Sequence, residues 1–366
     1  MNYVIWKNKD SRDIKGLIIS ELPPISKPKM RTQETRIDGV DGSLIEELGY
    51  ECYDKTIKIG LSRNYDIDEV IKYFSGTGNI IFSNEPDKYY KATIINQIDY
   101  ERLLRYRTAN VRIRVQPFKY SATEEAIEED FTTSNILKLP EGVHYTDDNV
   151  EVAVNNGVFE IKGSTGNSVK FTIEVEPVEL KGNYICNLSA MGNNSQNITL
   201  TLLDKDKQHI GTYLGVYSGN VKSVLLENVD TSIKYVEVYM SANQTFENIE
   251  LKYWVNKGNV AKDFNVYNQY NLNVINAGYE KSKPILTLRG TGTIIFYVNN
   301  NSIFQYTFDE DEEVVIDSDK QDAYLGTILK NRNMIGEFPI FKAEENEIYI
   351  EGALSYIKIE NKSRWL

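Results

Sequence analysis

Apolar and polar residues alternate along much of the first 120 residues, a pattern typical of β-strands with one buried face. Ile57, Ile59 and Leu61 occupy alternate positions in one such run. In a later run, Arg112 and Arg114 alternate with Val and Ile residues. The pattern therefore predicts a strand-rich N-terminal domain whose sheet buries its branched aliphatic side chains.

One segment of this region has helical spacing instead. Asp66 is a favourable N-cap, Glu69 follows three residues later, and Gly76 and Gly78 provide a stop signal. The intervening apolar residues recur at the three- and four-residue spacing of a helix face. They are Ile67, Val70, Ile71 and Phe74.

The segment 20–43 follows neither period. Pro23, Pro24 and Pro28 remove backbone donors, and two Asp-Gly pairs at 38–39 and 41–42 indicate turns. A long irregular segment in a globular chain usually has a function. The sequence predicts an extended arm that packs on a neighbouring subunit.

Residues 131–257 contain short alternating runs separated by Gly, Asn and Asp, as in a β-sandwich. In the run 234–240, Val236, Val238 and Met240 share the predicted core face, and Tyr235 and Tyr239 point to the other face. Tyr235 and Tyr239 are four residues apart, so their rings would lie about 13 Å apart along such a strand. That spacing suits stacking on nonadjacent units of a polysaccharide.

Two further aromatic residues of this region are candidates for sugar contact. Trp254 has the outward phase in the run 248–254, and Tyr217 lies in a Gly-rich loop. The predicted carbohydrate-binding residues are therefore Tyr235, Tyr239, Trp254 and Tyr217. The alternative for each is that a loop covers the ring and the side chain is structural.

Composition narrows the possible functions. Among 366 residues, 41 are Lys or Arg and 53 are Asp or Glu, so the net charge is −12. An acidic chain disfavours tight binding to nucleic acid or to an anionic membrane. No apolar run approaches the ~18 residues of a membrane span, and the first residues lack the apolar stretch of a signal peptide. The two cysteines, Cys52 and Cys186, fit a protein folded in a reducing cytosol.

Catalytic chemistry is not indicated by any motif. The two histidines, His144 and His209, lie in turn-rich segments without other residues at metal-ligand spacing. No nucleophile elbow, phosphate loop or dinucleotide fingerprint is present in the sequence. We therefore expect no catalytic residue, no metal site and no cofactor.

Both ends of the chain resemble one family. Leu22-Pro-Pro-Ile25 and Arg36-Ile-Asp-Gly-Val-Asp-Gly-Ser-Leu44 are similar to the N-terminal domain of the distal tail (Dit) proteins of long-tailed bacteriophages. Ile335-Gly-Glu-Phe-Pro-Ile-Phe341, the strand from Ile357 and the terminal Arg364-Trp-Leu366 resemble that family's C-terminal domain. Phe341 replaces the usual Leu, and Glu344-Glu345 stands where Pro-Gly is common.

The intervening region resembles a different family. Ser134-Asn-Ile-Leu-Lys138 and Phe246-Glu-Asn-Ile-Glu-Leu-Lys252 are similar to the first and last strands of jelly-roll carbohydrate-binding modules. The resemblances together imply a mainly β fold in which such a module is inserted into a distal tail protein. The implied parts are a ring-forming N-terminal domain at 1–122, a linker at 123–130, the inserted sandwich at 131–257 and a galectin-like C-terminal β-sandwich at 262–366.

The family resemblance also implies a function. Six copies would form a ring at the end of a phage (siphovirus) tail tube and leave a channel for DNA in transit. Expected partners are the tail tube and tape-measure proteins, the tail-tip or tail-associated lysin and the receptor-binding proteins, and the insert would bind host cell-wall polysaccharide. The protein would fold in the host cytoplasm and function in the virion as a structural component without enzymatic activity.

Three alternatives remain at the level of sequence. The first is a non-viral adhesion protein built from carbohydrate-binding β-sandwiches. The second is a polysaccharide-degrading enzyme with two carboxylates about 5–10 Å apart in a groove. The third is the equivalent hub of a contractile tail or of a phage-tail-like bacteriocin.

Overall fold

The computed structural model describes residues 2–39, 41–123, 125–132, 134–193, 198–216 and 221–366. Over these residues the protein is mainly β, which confirms the predicted fold class. Buried apolar side chains form three clusters, within residues 4–115, 137–255 and 270–359. Among the described residues no helix has the length and apolar character required to cross a membrane.

The N-terminal region is a curved antiparallel sheet with two short helices. In chain order the elements are β1 (Val4–Trp6), β2 (Lys9–Asp10), β3 (Leu17–Glu21), β4 (Met30–Thr35), β5 (Leu44–Tyr50), β6 (Tyr53–Leu61), α1 (Ile67–Tyr73), β7 (Thr77–Phe82), β8 (Lys88–Ile94), α2 (Tyr100–Tyr106) and β9 (Thr108–Ser121). The strand order is β2-β1-β7-β8-β9-β6-β3, and β4 pairs separately with β5.

The alternation on β6 and β9 and the helix at 67–73 are confirmed. Ile57 and Ile59 are fully buried, and Arg112 and Arg114 lie exposed on the opposite side of β9. Asp66 caps α1 as predicted, because its Oδ1 accepts the N–H of Glu69 at 3.1 Å. Helix α2 has no counterpart in the sequence prediction.

The prediction that segment 20–43 lacks strand structure is wrong in part. Strand β3 extends to Glu21, and β4 pairs with β5 to form a hairpin whose side chains are almost all exposed. A strand with two exposed faces needs no apolar alternation, so its sequence carries no period. The stretch between β3 and β4 is irregular, as predicted, and the main sheet binds it at three backbone carbonyls.

Those three carbonyls belong to Pro23, Pro24 and Ser26. They accept hydrogen bonds from Asn84 Nδ2 at 3.0 Å, Lys55 Nζ at 2.9 Å and Tyr53 OH at 3.3 Å, respectively. The donors come from β6 and from the turn after β7. The base of the hairpin is therefore held on the main sheet while the hairpin itself projects away from it.

A buried ionic cluster lies beneath this attachment. Glu85 accepts from Lys119 Nζ at 2.9 Å and from the hydroxyl of Tyr90 at 2.5 Å. Lys55 is also buried, and its ammonium lies 5.0 Å from the ring centroid of Tyr90. Burial lowers the pKa of Lys55 to about 8, with Glu85 raising it and Lys119 lowering it further.

This shift predicts a pH dependence of stability. Because the pKa of Lys55 is lower in the folded protein than its ordinary 10.5, the unfolded chain binds more protons between about pH 8 and 10.5. The contribution of Lys55 to the free energy of unfolding should therefore rise with pH across this window. In urea unfolding, Lys55→Met should abolish that rise, whereas Lys58→Met, at an exposed position of the same strand, should keep it. Equal pH profiles for wild type and Lys55→Met would contradict this account.

The segment predicted as a linker is a strand. Glu125–Asp130 forms β10 and pairs antiparallel with Tyr356–Asn361 near the end of the chain. Glu128, Glu129 and Asp130 are exposed on this edge strand, where charge discourages pairing with further strands. The polar run was mistaken for a linker because an edge strand, like a linker, tolerates consecutive charges.

The central region is a β-sandwich built around two very long strands. The elements are β11 (Val143–Asp147), β12 (Val150–Asn155), β13 (Val158–Thr165), β14 (Val169–Asn193), β15 (Ile198–Leu203), β16 (His209–Val216), β17 (Val221–Met240) and β18 (Gln244–Lys257). Residues 169–174 of β14 pair with 235–240 of β17, and beyond a bulge residues 184–189 pair with 221–226. Both strands therefore pass through both layers.

The start and the end of this region meet. Asn135 forms an isolated bridge with Asn256, and the N–H of Ile136 donates to the carbonyl of Val255 at 2.9 Å. Such closure lets a module be inserted in another domain with its ends close together. The core phase of Val236, Val238 and Met240 is confirmed, since all three are fully buried.

The C-terminal region is a second β-sandwich. The elements are β19 (Gln269–Asn276), β20 (Ile285–Gly290), β21 (Thr293–Val298), β22 (Asn301–Thr307), β23 (Glu312–Asp317), β24 (Asp322–Leu325), β25 (Ile328–Leu329), β26 (Met334–Gly336), β27 (Glu344–Glu351), β28 (Leu354–Asn361) and β29 (Arg364–Trp365). One sheet has the order β10-β28-β20-β23-β24-β25, the other has the order β19-β27-β21-β22-β26, and a buried apolar cluster lies between them.

The family-like motif of this region forms an ordered turn. Phe341 is fully buried, and the buried Asn346 donates to the carbonyl of Lys342 at 3.0 Å and accepts its N–H at 3.0 Å. Glu344 takes a left-handed φ of 69° in the stretch where Pro-Gly is common in the family. The chain then returns to the N-terminal sheet, where β29 pairs with Lys119 and Tyr120 of β9.

Candidate functional site

The outer face of the sheet β14-β17-β15-β16 carries the clearest candidate site. Tyr235 and Tyr239 of β17 lie on this face and are half-buried. Cross-strand pairing places Lys170 beside Tyr239 and Glu174 beside Tyr235. Two rings separated along one strand, with polar side chains between them, form a surface able to stack on sugar rings and to bind their hydroxyls.

A buried carboxylate lies between the two tyrosines. Glu237 is only 5% exposed although it belongs to the outer face. Its Oε1 accepts from Lys170 Nζ at 3.1 Å and from the hydroxyl of Tyr213 at 3.2 Å. The carboxylate is thus fixed by a cation on one side and a phenol on the other, as a buried charge requires.

Strand β16 extends this polar row. The hydroxyl of Tyr213 also lies 3.1 Å from Nε2 of His209. Burial and the Glu237 carboxylate raise the pKa of Tyr213, and the hydrogen bond to Glu237 raises the pKa of Lys170. Tyr213 and Lys170 therefore stay protonated at neutral pH and serve as donors.

Each tyrosine of the pair has a further contact. The ammonium of Lys207 lies 5.6 Å from the ring centroid of Tyr235. The hydroxyl of Tyr239 donates to Ser168 Oγ at 3.4 Å, and its hydrogen bonds with Ser168 and Ser241 lower the pKa of Tyr239. These contacts restrict both rings, which reduces the entropy lost when a ligand stacks on them.

One buried hydroxyl of the same face lacks a partner. Thr201 of β15 is the register neighbour of Glu237, and its Oγ1 is buried without a hydrogen bond among the described residues. The sequence alone did not indicate Thr201, Lys170, Tyr213 or His209 as parts of the site. The alternation of apolar and polar residues along β15 and β16 shows which side chains face outward, but their pairing with β17 is decided by the fold.

The expectation that Trp254 is exposed is wrong. The side chain is 4% exposed, its Nε1 donates to the carbonyl of Lys262 at 2.9 Å, and its ring packs edge-on against Phe264 at 5.5 Å. The segment after β18 covers the outward face of the strand, so the structural alternative holds for Trp254. Tyr217 lies outside the described residues.

The other layer of the same sandwich has a shallow groove of about 380 Å³. Glu160 and Glu250 are register partners on adjacent strands, and His144 lies two strands away in the same row. No group of three or more His, Cys, Asp or Glu that could hold a metal ion occurs in the described part of the chain. The groove is a polar surface depression without the aromatic pair of the β17 face.

No protein-family model matches the sequence, and no curated protein matches it significantly. Among solved structures, the chain is similar to the SPP1 Dit protein, with TM-score 0.39, 9% identity and 100% of both chains covered. A chain of the phage p2 baseplate matches with TM-score 0.22 and 7% identity, covering 70% of this chain and 98% of that one. A variant of a family 29 carbohydrate-binding module matches with TM-score 0.23 and 11% identity, covering 36% and 85%.

The structural neighbours thus include a phage Dit hub, a phage baseplate protein and carbohydrate-binding modules. Their TM-scores and identities are too low to assign a function, and a shared fold would not by itself imply one.

Proposed function

We propose that this chain is the structural hub of a phage tail tip, in which six copies form a ring by heterologous contacts between N-terminal regions. The ring joins the tail tube and tape-measure proteins to the tail-tip lysin and receptor-binding proteins. It leaves a central channel for DNA, which the acidic chain, with its net charge of −12, does not retain. The protein acts in the virion, and its role is structural rather than enzymatic.

The projecting hairpin β4–β5 is the observation that carries this proposal. Leu44 and Ile45 are 64% and 63% exposed, and Leu48 is exposed as well. An isolated two-stranded hairpin is marginally stable in water, and clustered exposed apolar residues mark interaction surfaces. The hairpin contains part of the segment that resembles the distal tail family. In a ring of identical copies, the surface that contacts the hairpin would belong to the neighbouring copy.

Charge supports the same arrangement. The hairpin displays Glu34, Glu46 and Glu47 on its strands, while Arg105 and Arg112 are exposed elsewhere on the N-terminal region. Opposite charges on two different surfaces of one chain favour head-to-tail association, which closes into a ring when the rotation allows.

Ring formation is tested by light scattering and negative-stain imaging of the purified chain at several concentrations. Wild type should give ring particles near six times 42.0 kDa. The double variant Leu44→Glu/Ile45→Glu should stay folded but remain monomeric, because it charges the apolar hairpin. Ile328→Glu, at an equally exposed apolar position of β25, is the matched control and should keep the ring.

A wild-type chain that is monomeric at every concentration would count against the hub and favour a non-viral adhesion protein. A ring that survives the hairpin variant would place the contact elsewhere. Rings that stack on contractile tubes in reconstitution would indicate the equivalent hub of a contractile tail or bacteriocin.

We further propose that the inserted sandwich binds host cell-wall glycan at the face of Tyr235 and Tyr239. The paired rings, with the polar row of Glu237, Lys170 and Tyr213 beside them, suit a neutral polysaccharide chain lying along β17. Six copies would convert a weak single-site affinity into avidity.

On an array of cell-wall polysaccharides, Tyr235→Ala and Tyr239→Ala should each weaken binding about tenfold, about 1.4 kcal/mol, by removing a stacking surface. Tyr106→Ala, at a well exposed tyrosine of the N-terminal region, is the control and should bind as wild type does. Binding that is unchanged in both site variants would refute this location, without bearing on the ring.

A further inference from the structure

An open cavity of about 240 Å³ lies at the joint between the N-terminal sheet and the C-terminal sandwich. Lys91 and Tyr120 line it from β8 and β9, and the C-terminal sandwich contributes Lys283 and the turn after β23. Residues near the end of the chain complete its lining, and its lysines remain partly exposed to solvent. Five cationic side chains and two carboxylates line this cavity; they are Lys91, Lys283, Lys320, Lys362 and Arg364, with Asp317 and Asp319.

The two carboxylates are already engaged. Asp319 contacts Lys91 Nζ at 3.1 Å and Lys283 Nζ at 3.6 Å. Asp317 pairs with Lys320 Nζ at 2.9 Å and also accepts the N–H groups of Asp319 and Lys320. Neither carboxylate is therefore available to neutralise another cation of the cavity.

The two remaining cations, Lys362 and Arg364, form no ion pair within the described part of the chain. Arg364 donates to the carbonyl of Lys281 and stacks on Phe118, with 4.5 Å between its guanidinium carbon and the ring centroid. Lys362 has no ion pair or side-chain hydrogen bond among the described residues. Burial raises the pKa of Asp319, but Lys91, Lys283 and Arg364 together hold it below its ordinary value, so their charges converge on one point.

We propose that this cavity is an anion site for a single phosphate group. The cavity has an excess of three positive charges in an otherwise acidic chain, which favours an anion there, and ammonium and guanidinium donors form strong charge-assisted hydrogen bonds with phosphate oxygens. The volume admits one phosphate with small substituents. The phosphate is either free inorganic phosphate or a phosphodiester of a cell-wall polymer.

A bound phosphate would act on the arrangement of the two regions. Lys91 belongs to the N-terminal sheet, whereas Lys283, Lys362 and Arg364 belong to the C-terminal part. An anion held by both sets would strengthen the joint where Lys91 now meets Asp319. The site lies within one chain, so it does not depend on ring formation or on sugar binding.

The test is equilibrium dialysis of the full chain against radiolabelled inorganic phosphate at constant ionic strength, with bis(glycerol) phosphate as competitor. Wild type should bind saturably, and Lys362→Glu should weaken binding about tenfold or more by replacing a donor with a like charge. Lys362→Gln keeps the size of the side chain and should weaken binding less. Lys257→Glu, at an exposed lysine of β18, makes the same charge change elsewhere and should leave affinity unchanged.

Competition by the diester would assign the site to a wall polymer, and its failure to compete would assign it to free phosphate. Absence of saturable phosphate binding would overturn the proposal. Equal losses in Lys362→Glu and Lys257→Glu would also overturn it, because the effect would then reflect net charge alone.

Discussion

Glu85→Ala should lower the free energy of unfolding of the N-terminal region by about 3–5 kcal/mol. The substitution removes the partner of Lys119 and leaves that ammonium buried with Lys55 nearby. It also removes the acceptor of the Tyr90 hydroxyl. An unpaired buried charge costs far more than a lost surface ion pair, so the effect should exceed that of any exposed salt bridge in this chain.

Hydrogen exchange of the β6, β8 and β9 amides, combined with urea unfolding, measures this loss in the region concerned. The double variant Glu85→Ala/Lys119→Met should be less damaging than Glu85→Ala alone, because it removes both charges together. Asp54→Ala, which breaks the exposed pair with Arg114, is the control and should cost at most about 1 kcal/mol. Similar losses for Glu85→Ala and Asp54→Ala would show that the cluster is hydrated.

Trp254→Ala should destabilise the inserted sandwich by about 3–5 kcal/mol. The ring is buried between β18 and the segment 260–264, so truncation leaves a cavity beside Phe264. The carbonyl of Lys262 also loses its indole donor. Tyr239→Ala, on the outer face, should cost much less because that ring is only half-buried.

Thermal and urea unfolding followed by near-ultraviolet circular dichroism measures the loss. Trp254→Phe retains most of the ring packing but not the indole donor, and should recover more than half of the lost stability. Polysaccharide binding by Trp254→Phe should match wild type, because the ring does not reach the outer face. A loss of binding at unchanged stability would restore Trp254 to the binding site.

Local patterns of apolar and polar residues were sufficient to predict much of the secondary structure and its buried faces. Ile57 and Ile59 revealed the buried face of β6, and Asp66 with Glu69 located the start of α1. Val236 and Met240 fixed the core phase of β17, which placed Tyr235 and Tyr239 on its outer face. These predictions succeed because the period of two or 3.6 residues is imposed by burial of a single face.

Predictions from local sequence patterns were wrong for strands that do not bury a single face. The hairpin strands β4 and β5 are exposed on both faces, and the acidic edge strand β10 has the composition of a linker. Trp254 had the correct outward phase, but a later segment of the chain covers it. The position of a residue in the alternation along a strand predicts the face on which its side chain lies. It does not predict which other part of the chain covers that face.

The sequence by itself determined the mainly β class, the faces of its amphipathic strands and the cap of α1. Three clusters of charged and polar side chains became visible only in the tertiary structure. They are Glu85 with Lys55 and Lys119, Glu237 with Lys170 and Tyr213, and Lys91 with Arg364. Strand and helix periods are local, because each is set by neighbouring residues and one buried face. Charge clusters join residues far apart in the chain, so their positions follow from strand order, which the period of a single strand does not specify.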